Sequence, residues 1–362
     1  MLAGMQFASD NTSGVAPEVL AAIAAEGARY GSAYGDDEAT RGLDARFAEL
    51  FEHEVAVHPV MSGTAANSLA LSCLTPPWGE VLCHEGAHIV TDEGGAPELF
   101  TGGARLVLLP GADGKIDPAA LAASFTRTKH GVHSGEPSVL ALTQATEAGT
   151  VYRADEIAAL VDRVRPHGIR VHMDGARFAN SMVHLGCSPA EATWRLGIDV
   201  LSFGATKNGC LGAEAVVFFD RALATEFERR RKRAGHLLSK LRFVSVQLEA
   251  YLADGLWLRN AAQANRSATR LADGLAVLDG VTIHSDVDAN EIFAALPRAS
   301  ADRLLAAGAR FYGEAAGDRT QLRLVTSFTT TDDEVDRFLA IAAGGDDDGG
   351  VGRQRETPCQ LR

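Results

Sequence analysis

The sequence predicts an α/β protein, in which a mostly parallel β-sheet with helices on both faces is followed by a smaller α/β unit. Two observations support this fold class. Short apolar runs alternate with helix-like segments between residues 45 and 220, which is typical of parallel strands joined by crossover helices. A second set of apolar runs begins near residue 281. A chain of 362 residues, 46% of them apolar, is long enough for both units.

The elements of the larger unit follow in order along the chain. A helix-like segment at residues 17–30 leads into a glycine-rich loop at 30–37. Seven apolar runs then have the length and composition of buried strands. They span residues 55–60, 80–83, 104–109, 138–143, 169–173, 200–203 and 215–219. Residues 221–274 are predicted to be helical throughout.

The smaller unit has its own predicted elements. Strands are expected at 281–284, 291–296 and 322–328, with a helix at 301–309. A capping box formed by Thr331 and Glu334 predicts the start of the last helix. The predicted organisation is an N-terminal segment with an active-site loop (1–44), a large domain (45–250), a small C-terminal domain (251–343) and a disordered tail (344–362).

Charge and composition disfavour several classes of protein. The net charge of −13 argues against nucleic-acid binding, which needs a basic surface. The sequence has no run of 18 or more apolar residues and no secretory signal pattern at its start, so we expect a cytoplasmic protein without membrane contact. Its five cysteines lack paired spacing. They predict buried thiols rather than disulfides, and no metal site is expected.

Two charged residues stand just past apolar runs, where strand ends of α/β proteins present functional groups. Asp174 follows the run at 169–173, and Lys207 follows the run at 200–203. Pyridoxal phosphate requires such an amine and carboxylate, because the lysine bonds to its aldehyde and the acid keeps its ring nitrogen protonated. On spacing alone, a surface charge and a solvated amine remain the alternative.

A phosphate site is predicted upstream of this pair. Residues 54–70 have the pattern of a strand, a small-residue turn and an alanine-rich helix. Free backbone N–H groups and the helix dipole then converge at Gly63 and Thr64. Such a turn is also an ordinary helix N-cap. The turn, Asp174 and Lys207 in this order favour an enzyme that uses pyridoxal phosphate.

These residues belong to a longer ordered set of motifs between residue 7 and about residue 343. Through this set the chain resembles the low-specificity L-threonine aldolase and phenylserine aldolase family, which consists of fold-type-I pyridoxal-phosphate enzymes similar to β-eliminating lyases. The resemblance implies the aspartate aminotransferase-like fold with a large and a small domain. The motifs are at residues 7–11 (FASDN), 34–37 (YGDD), 62–67 (SGTAAN), 87–88 (AH), 142–150 (LTQATEAGT), 174–177 (DGAR), 206–209 (TKNG) and 322–326 (LRLVT).

The resemblance implies roles for the cofactor-binding residues. Lys207 is implied to bond covalently to the cofactor, and Asp174 to pair with the pyridine nitrogen. A carboxylate beside that nitrogen raises its pKa and keeps the ring charged. Gly63 and Thr64 match the phosphate cup, and His88 corresponds to the histidine that stacks on the ring.

It also implies the residues that hold an amino-acid substrate. Arg177 and Arg323 fit the α-carboxylate, because a guanidinium grips a carboxylate at two points and stays ionised. Arg177 is counted among the cofactor-binding residues as well, and Ser9 matches a serine near the same carboxylate. His133 matches the histidine that binds the substrate β-hydroxyl, and a histidine suits proton relay near neutral pH. His130 is the competing assignment.

Sites shared between subunits are a further implication. Tyr34 is placed at the shared edge. Lys232 aligns with a lysine that reaches the phosphate of the neighbouring subunit, although gaps near Ser239 and Lys240 leave the choice of basic residue within 229–242 open. The partners expected are therefore a small amino-acid substrate and further copies of the chain, in a homodimer or homotetramer.

The implied reaction is that of a lyase. It is the retro-aldol cleavage of L-threonine, L-allo-threonine and related β-hydroxy-α-amino acids, phenylserine among them, to glycine and an aldehyde. Two alternatives stay open, namely another pyridoxal-phosphate lyase that catalyses β-elimination, and a non-catalytic cofactor-binding or regulatory protein. The motifs at 144–146 and 206–208 match a bacterial subgroup. They leave open the aldehyde and the threo or erythro preference at Cβ.

Overall fold

Two β-sheets organise the computed structural model, which describes residues 4–125 and 130–345. Nearly all of the tail predicted at 344–362 lies outside these ranges, and its disorder stays a prediction. The strands of the larger sheet lie between residues 56 and 218, and those of the smaller sheet between 282 and 325. The domain boundaries at 44/45, 250/251 and 343/344 remain predictions.

The larger sheet has seven strands in the order β1-β7-β6-β5-β4-β2-β3. They are β1 (Ala56–Val60), β2 (Gly79–His84), β3 (Arg105–Leu109), β4 (Glu136–Thr143), β5 (Arg170–Gly175), β6 (Val200–Gly204) and β7 (Glu214–Phe218). Strand β7 is antiparallel to β1 and β6, and the other neighbouring pairs are parallel. The predicted mostly parallel sheet is confirmed, and all seven apolar runs form strands.

Both faces of this sheet are buried, and each strand contributes to both because its side chains alternate between the two faces. In β4, Leu140 and Leu142 pack into one apolar cluster, whereas Val139 and Ala141 pack into another. The helices before and between these strands are α1 (Pro17–Gly27), α2 (Glu38–Phe51), α3 (Gly63–Leu74), α4 (His88–Thr91), α5 (Ala96–Thr101), α6 (Pro118–Phe125), α7 (Ala154–Val164) and α8 (Phe178–Leu185).

The segment 221–274 contains three α-helices, with two short 3-10 helices, instead of the continuous helix that the sequence predicts. They are α9 (Phe227–Arg233), α10 (Arg242–Leu252) and α11 (Leu256–Ala276). The prediction was wrong because the chain adopts positive φ angles at Gly235, Asp254 and Gly255, of 78°, 50° and 69°. Such angles interrupt a right-handed helix. In the described part of the chain, no helix has the length and apolar character needed to cross a membrane.

The smaller sheet is antiparallel, with the order β10-β11-β9-β8. Its strands are β8 (Thr282–Ile283), β9 (Glu291–Pro297), β10 (Tyr312–Ala316) and β11 (Arg319–Val325), and the helices beside it are α12 (Arg298–Ala306) and α13 (Asp332–Ala342). The capping box at the start of α13 is confirmed. Strand β10 was not predicted, because its exposed residues show no apolar alternation.

Candidate active site

Asp174 and Lys207 lie at the same edge of the larger sheet. Asp174 is the last but one residue of β5, and Lys207 follows the end of β6 by three residues. The two strands are parallel neighbours, with Asp174 opposite Ser202 in the register. Both side chains therefore stand at the carboxyl ends of strands, where open α/β sheets bind ligands.

The Asp174 carboxyl is buried and held as a hydrogen-bond acceptor. Asn67 Nδ2 donates to its Oδ2 at 2.7 Å, and the backbone N–H of Ala176 donates to its Oδ1 at 3.0 Å. Each oxygen of the carboxyl therefore accepts a hydrogen bond from the protein, which fixes its orientation at this edge.

Lys207 stands in a short 3-10 turn that its neighbour fixes. Asn208 Nδ2 donates to Tyr251 Oη at 2.6 Å and to Trp257 O at 2.8 Å. Asn260 Nδ2 donates to the Asn208 carbonyl at 2.9 Å. Among the described residues, none hydrogen-bonds or ion-pairs with the Lys207 amine. The backbone is thus anchored while the amine keeps its capacity for a new bond.

A buried carboxyl underlies this turn. Glu214 is the first residue of β7, and its Oε2 accepts the Ala205 N–H at 2.9 Å. Burial raises the pKa of Glu214 to about 7. Hydrogen bonds from Thr206 and Ala205 and the charge of Lys207 oppose this shift. Sequence reasoning missed Glu214, which follows a glycine-rich loop with no acidic motif.

The N-terminus of α3 provides an open anion site. Ser62 Oγ caps the helix by accepting the Ala65 N–H at 3.3 Å, which leaves the N–H groups of Gly63 and Thr64 ahead of the cap. A Cβ built at Gly63 would meet no atom within 4 Å, so the space in front of the helix is free. From Ser62 to Asn67, which contacts Asp174, the helix rises about 7 Å. This span suits pyridoxal phosphate between its phosphate and ring nitrogen.

His88 is tied to the Asp174 network through Glu93. Glu93 Oε1 accepts from Asn67 Nδ2 at 2.8 Å and lies 2.9 Å from His88 Nδ1. The hydrogen bond that His88 donates to Glu93 raises the pKa of His88, although partial burial opposes it. Burial also raises the pKa of Glu93, whose Oε2 lacks a hydrogen-bond partner among the described residues. Sequence reasoning missed Glu93, which follows His88 by only five residues.

The two predicted arginines meet through one acid. Glu291 Oε2 lies 2.9 Å from Arg177 Nη1, and Glu291 Oε1 lies 2.6 Å from Arg323 Nη2. Arg177 is buried, whereas 28% of the Arg323 side chain is exposed. Glu291 begins β9 opposite Val325 of β11, two residues along that strand from Arg323. Sequence reasoning missed Glu291, since no local pattern connects it to either arginine.

Ser9 and Asp10 lie on the other side of Arg177. Asp10 pairs with Arg177 at two points, and Asn290 Nδ2 donates to Asp10 Oδ2 at 3.0 Å. Burial favours the neutral acid, but Arg177 outweighs it and lowers the pKa of Asp10. Ser9 Oγ accepts the Asn11 N–H at 3.1 Å. Ser9 is therefore beside the arginine cluster, as part of a local cap.

His133 and His130 lie elsewhere in this chain. Both are exposed and precede β4 by a few residues, whereas Asp174 is level with Thr143 at the other end of that strand. The seven residue steps from Glu136 to Thr143 correspond to about 23 Å of strand. Within one chain, the structure does not bring either histidine to the Asp174 and Lys207 edge, and the β-hydroxyl assignment stays a prediction.

Tyr34 and Lys232 contact each other at the surface. Lys232 Nζ lies 4.6 Å from the centre of the Tyr34 ring. Tyr34 N donates to Ser239 O at 3.1 Å, which ties the loop before α2 to the segment after α9. The predicted role of both residues in a shared site remains a prediction.

Taken with the sheet, this edge defines a class of protein. A seven-stranded, mostly parallel sheet with a smaller C-terminal unit, and a lysine, an aspartate and a helix N-terminus at one strand edge, characterise the fold-type-I pyridoxal-phosphate enzymes. Among solved structures, a threonine aldolase from Leishmania major is similar, with a TM-score of 0.87 and 26% identity over 93% of this chain and 98% of that one.

Sequence comparison identifies the family. Residues 6–297 match the beta-eliminating lyase family, and the chain belongs to it. A low specificity L-threonine aldolase from Pseudomonas aeruginosa is 46% identical over 307 residues, which cover 85% of this chain and 88% of that protein. A low specificity L-threonine aldolase from another Pseudomonas strain is 45% identical over the same shares. The predicted family resemblance is confirmed.

Proposed function

We propose that this chain uses pyridoxal phosphate to cleave L-threonine, L-allo-threonine and related β-hydroxy-α-amino acids into glycine and an aldehyde. One observation carries the proposal. Asp174, Lys207 and the open N-terminus of α3 lie at one sheet edge, beside the arginine pair that Glu291 joins. The similarity to named L-threonine aldolases over most of the chain supports it.

The residues at this edge fit the cofactor. Lys207 would bond to its aldehyde carbon, Asp174 would hold its ring nitrogen, Gly63 and Thr64 would receive its phosphate, and His88 would cover one ring face. When bound, pyridoxal phosphate supplies an electron sink that stabilises negative charge at the substrate Cα.

The protein's own contribution to the substrate is orientation. Arg323 is the more accessible arginine and would bind the α-carboxylate, with Arg177 and Ser9 behind it. Glu291 holds the two guanidinium groups in one place. With the carboxylate fixed there and the amino group at Lys207, the Cα–Cβ bond has one orientation relative to the ring. That orientation selects the bond that breaks.

For the assembly we propose a homodimer or homotetramer in the cytoplasm. Tyr30 is fully exposed and Tyr34 is half exposed beside Lys232, which gives the glycine-rich loop an apolar surface for another subunit. Because His133 is exposed and lies at the far end of β4 from Asp174, we infer that it serves the site of another chain. The four cysteines of the described residues are free thiols, as expected in a reducing compartment. Mixing inactive Lys207→Ala and Tyr34→Ala chains should restore activity if sites are shared, and no recovery would contradict shared sites.

Product identification tests the function. Protein loaded with pyridoxal phosphate is incubated with L-threonine, L-allo-threonine and phenylserine, with Lys207→Ala as the control. We expect glycine with acetaldehyde or benzaldehyde from the wild-type protein alone, and borohydride should fix the cofactor to Lys207. Ammonia and a 2-oxo acid would indicate β-elimination instead. No turnover of any of the three substrates would reject the proposal.

A further inference from the structure

The reaction needs a group that takes the proton of the substrate β-hydroxyl, and one carboxyl at the site is still unassigned. It belongs to Glu147, in the turn that follows β4. Thr146 N donates to Thr150 O at 2.9 Å, and the two hydroxyl oxygens are 2.8 Å apart. Thr150 Oγ1 also lies 2.7 Å from Asp113 O. These bonds hold the turn, and Glu147 within it, in one conformation.

The same turn is packed against the smaller sheet. Ala289 N donates to Gly149 O at 3.2 Å. Gly149 has a φ of 79°, and a Cβ there would lie 2.8 Å from Glu291 O. Only glycine allows this approach without strain. Glu147 is therefore held at a fixed place relative to Glu291 and the arginines that Glu291 joins.

The sheet order places Glu147 in the middle of the site. Strand β4 lies between β5 and β2, and the three strands are parallel. The turn after β4 thus stands between the loop that carries Asp174 and the loop that carries His88. Glu147 interacts electrostatically with the charged groups of this site, namely Glu291, Arg177, Asp174, Lys207 and His88.

The other carboxyls of the site already have partners. Asp10 and Glu291 pair with arginines, whereas Asp174 and Glu93 accept hydrogen bonds from Asn67. Glu147 is half-buried. Within the described ranges, no residue hydrogen-bonds or ion-pairs with its carboxyl. It is the acid of this cluster that remains available to a substrate.

Its environment also favours proton uptake. Burial raises the pKa of Glu147, and the carboxylates of Glu291 and Asp174 add to the shift, whereas Arg177 and Lys207 oppose it. A carboxylate with a raised pKa is a stronger base, and a general base works best when its pKa approaches the working pH.

We propose that Glu147 is the general base of the cleavage, and that its carboxylate contacts the substrate β-hydroxyl and accepts its proton. The inference rests on the function proposed above. As the O–H bond breaks, the oxygen and Cβ form the carbonyl of the departing aldehyde. The electron pair of the broken Cα–Cβ bond stays with the glycine fragment. Cα then takes up one proton, which balances the proton that Glu147 releases.

The test compares two substrates on the holoenzyme. Glycine has no β-hydroxyl, so its binding does not need this base. In Glu147→Gln we expect kcat for L-threonine cleavage to fall about 10²- to 10⁴-fold. The calorimetric Kd for glycine should change less than about threefold, the equivalent of ~0.6 kcal/mol. Glu156→Gln is the matched control, because Glu156 pairs with Lys115 and is not part of the site. It should leave both values unchanged.

The outcomes separate the possibilities. A decrease in kcat of less than about tenfold, equal to ~1.4 kcal/mol, would overturn the role of Glu147. A glycine Kd that rises in proportion to the loss of kcat would overturn it too, since the residue would then only maintain the ionic cluster. If the glutamine variant does not fold, the same two measurements on Glu147→Ala decide. Wild-type protein that cleaves none of L-threonine, L-allo-threonine and phenylserine would instead refute the proposed function, before any variant is compared. If it cleaves only one of the other two, that substrate replaces L-threonine in the comparison.

Discussion

Arg177 and Asp10 form a buried two-point ion pair, with Nε 2.8 Å from Oδ2 and Nη2 3.0 Å from Oδ1. Glu291 takes the third nitrogen, Nη1, at 2.9 Å. Arg177 therefore has no free pair of nitrogens for a substrate carboxylate. Among the described residues, Arg323 hydrogen-bonds only to Glu291, through Nε and Nη2, so its Nη1 is unused and its side chain is partly exposed. The structure thus favours different roles for two arginines to which the sequence assigns the same role: Arg323 for substrate binding and Arg177 for stability.

Arg323 should be the arginine that substrate binding depends on. We expect Arg323→Ala to raise KM for L-threonine by more than tenfold with the cofactor absorbance intact, since a buried charged contact is worth roughly 2–5 kcal/mol. The KM of Arg323→Lys should lie between those of the wild-type protein and Arg323→Ala, because lysine keeps the charge but cannot bind a carboxylate at two points. Steady-state kinetics measure both. Near-wild-type KM for the alanine variant would place the carboxylate site elsewhere.

Arg177 should matter first for stability. Arg177→Ala leaves the buried carboxylate of Asp10 without its ion-pair partner and leaves Glu291 with Arg323 alone, and breaking a buried pair costs about 3–5 kcal/mol. We expect a clearly lowered Tm in thermal unfolding. Arg270→Ala is the control, because its ion pair with Asp336 is exposed and should contribute little. A Tm equal to that of the control would disprove the structural role.

Glu214 should make stability depend on pH. Its pKa is raised from 4.5 to about 7 in the folded state. The folded protein then holds a proton that the unfolded chain has lost, so stability falls as the pH rises from about 4.5 to 7 and is level above that. Glu214→Gln should remove this fall. Between pH 4.5 and pH 8, its free energy of unfolding should rise by up to about 3 kcal/mol relative to that of the wild-type protein. Urea unfolding at several pH values measures the gain, and parallel curves for both proteins would contradict it.

Stereochemical selection should be strict at Cα and loose at Cβ. Arg323 would hold the carboxylate, and the amino group would be held where Lys207 otherwise meets the cofactor, so the D-isomer cannot align its Cα–Cβ bond and should be inert. The proposed hydrogen bond from the β-hydroxyl to the Glu147 carboxylate is worth about 1.5–3 kcal/mol, so L-threonine and L-allo-threonine should both react, at rates that differ by at most on the order of 10²-fold. Rates for the four stereoisomers, with His133→Asn in parallel, measure this. Cleavage of a D-isomer at the rate of its L-counterpart would refute this view of the site.

The strands and their functional ends could be predicted from the sequence because both are local features. An apolar run followed by a polar residue defines β5 with Asp174 and β6 with Lys207, without reference to the rest of the chain. Strand β10 and the helix break at Gly255 were missed because neither is a local feature of the sequence. Strand β10 depends on pairing with β11, and the break depends on a backbone angle, and neither produces a periodic pattern of apolar residues.

By itself, the sequence determined the fold class and the family, and it predicted the cofactor-binding set of Lys207, Asp174 and Gly63, because each depends on residues close together along the chain. The tertiary structure alone decided that Glu291 joins the two arginines and that Glu147 has no hydrogen-bond or ion-pair partner among the described residues. Those relationships arise where the smaller sheet packs on the carboxyl edge of the larger one. Charges that are far apart along the chain meet there, and no local pattern specifies which of them will pair.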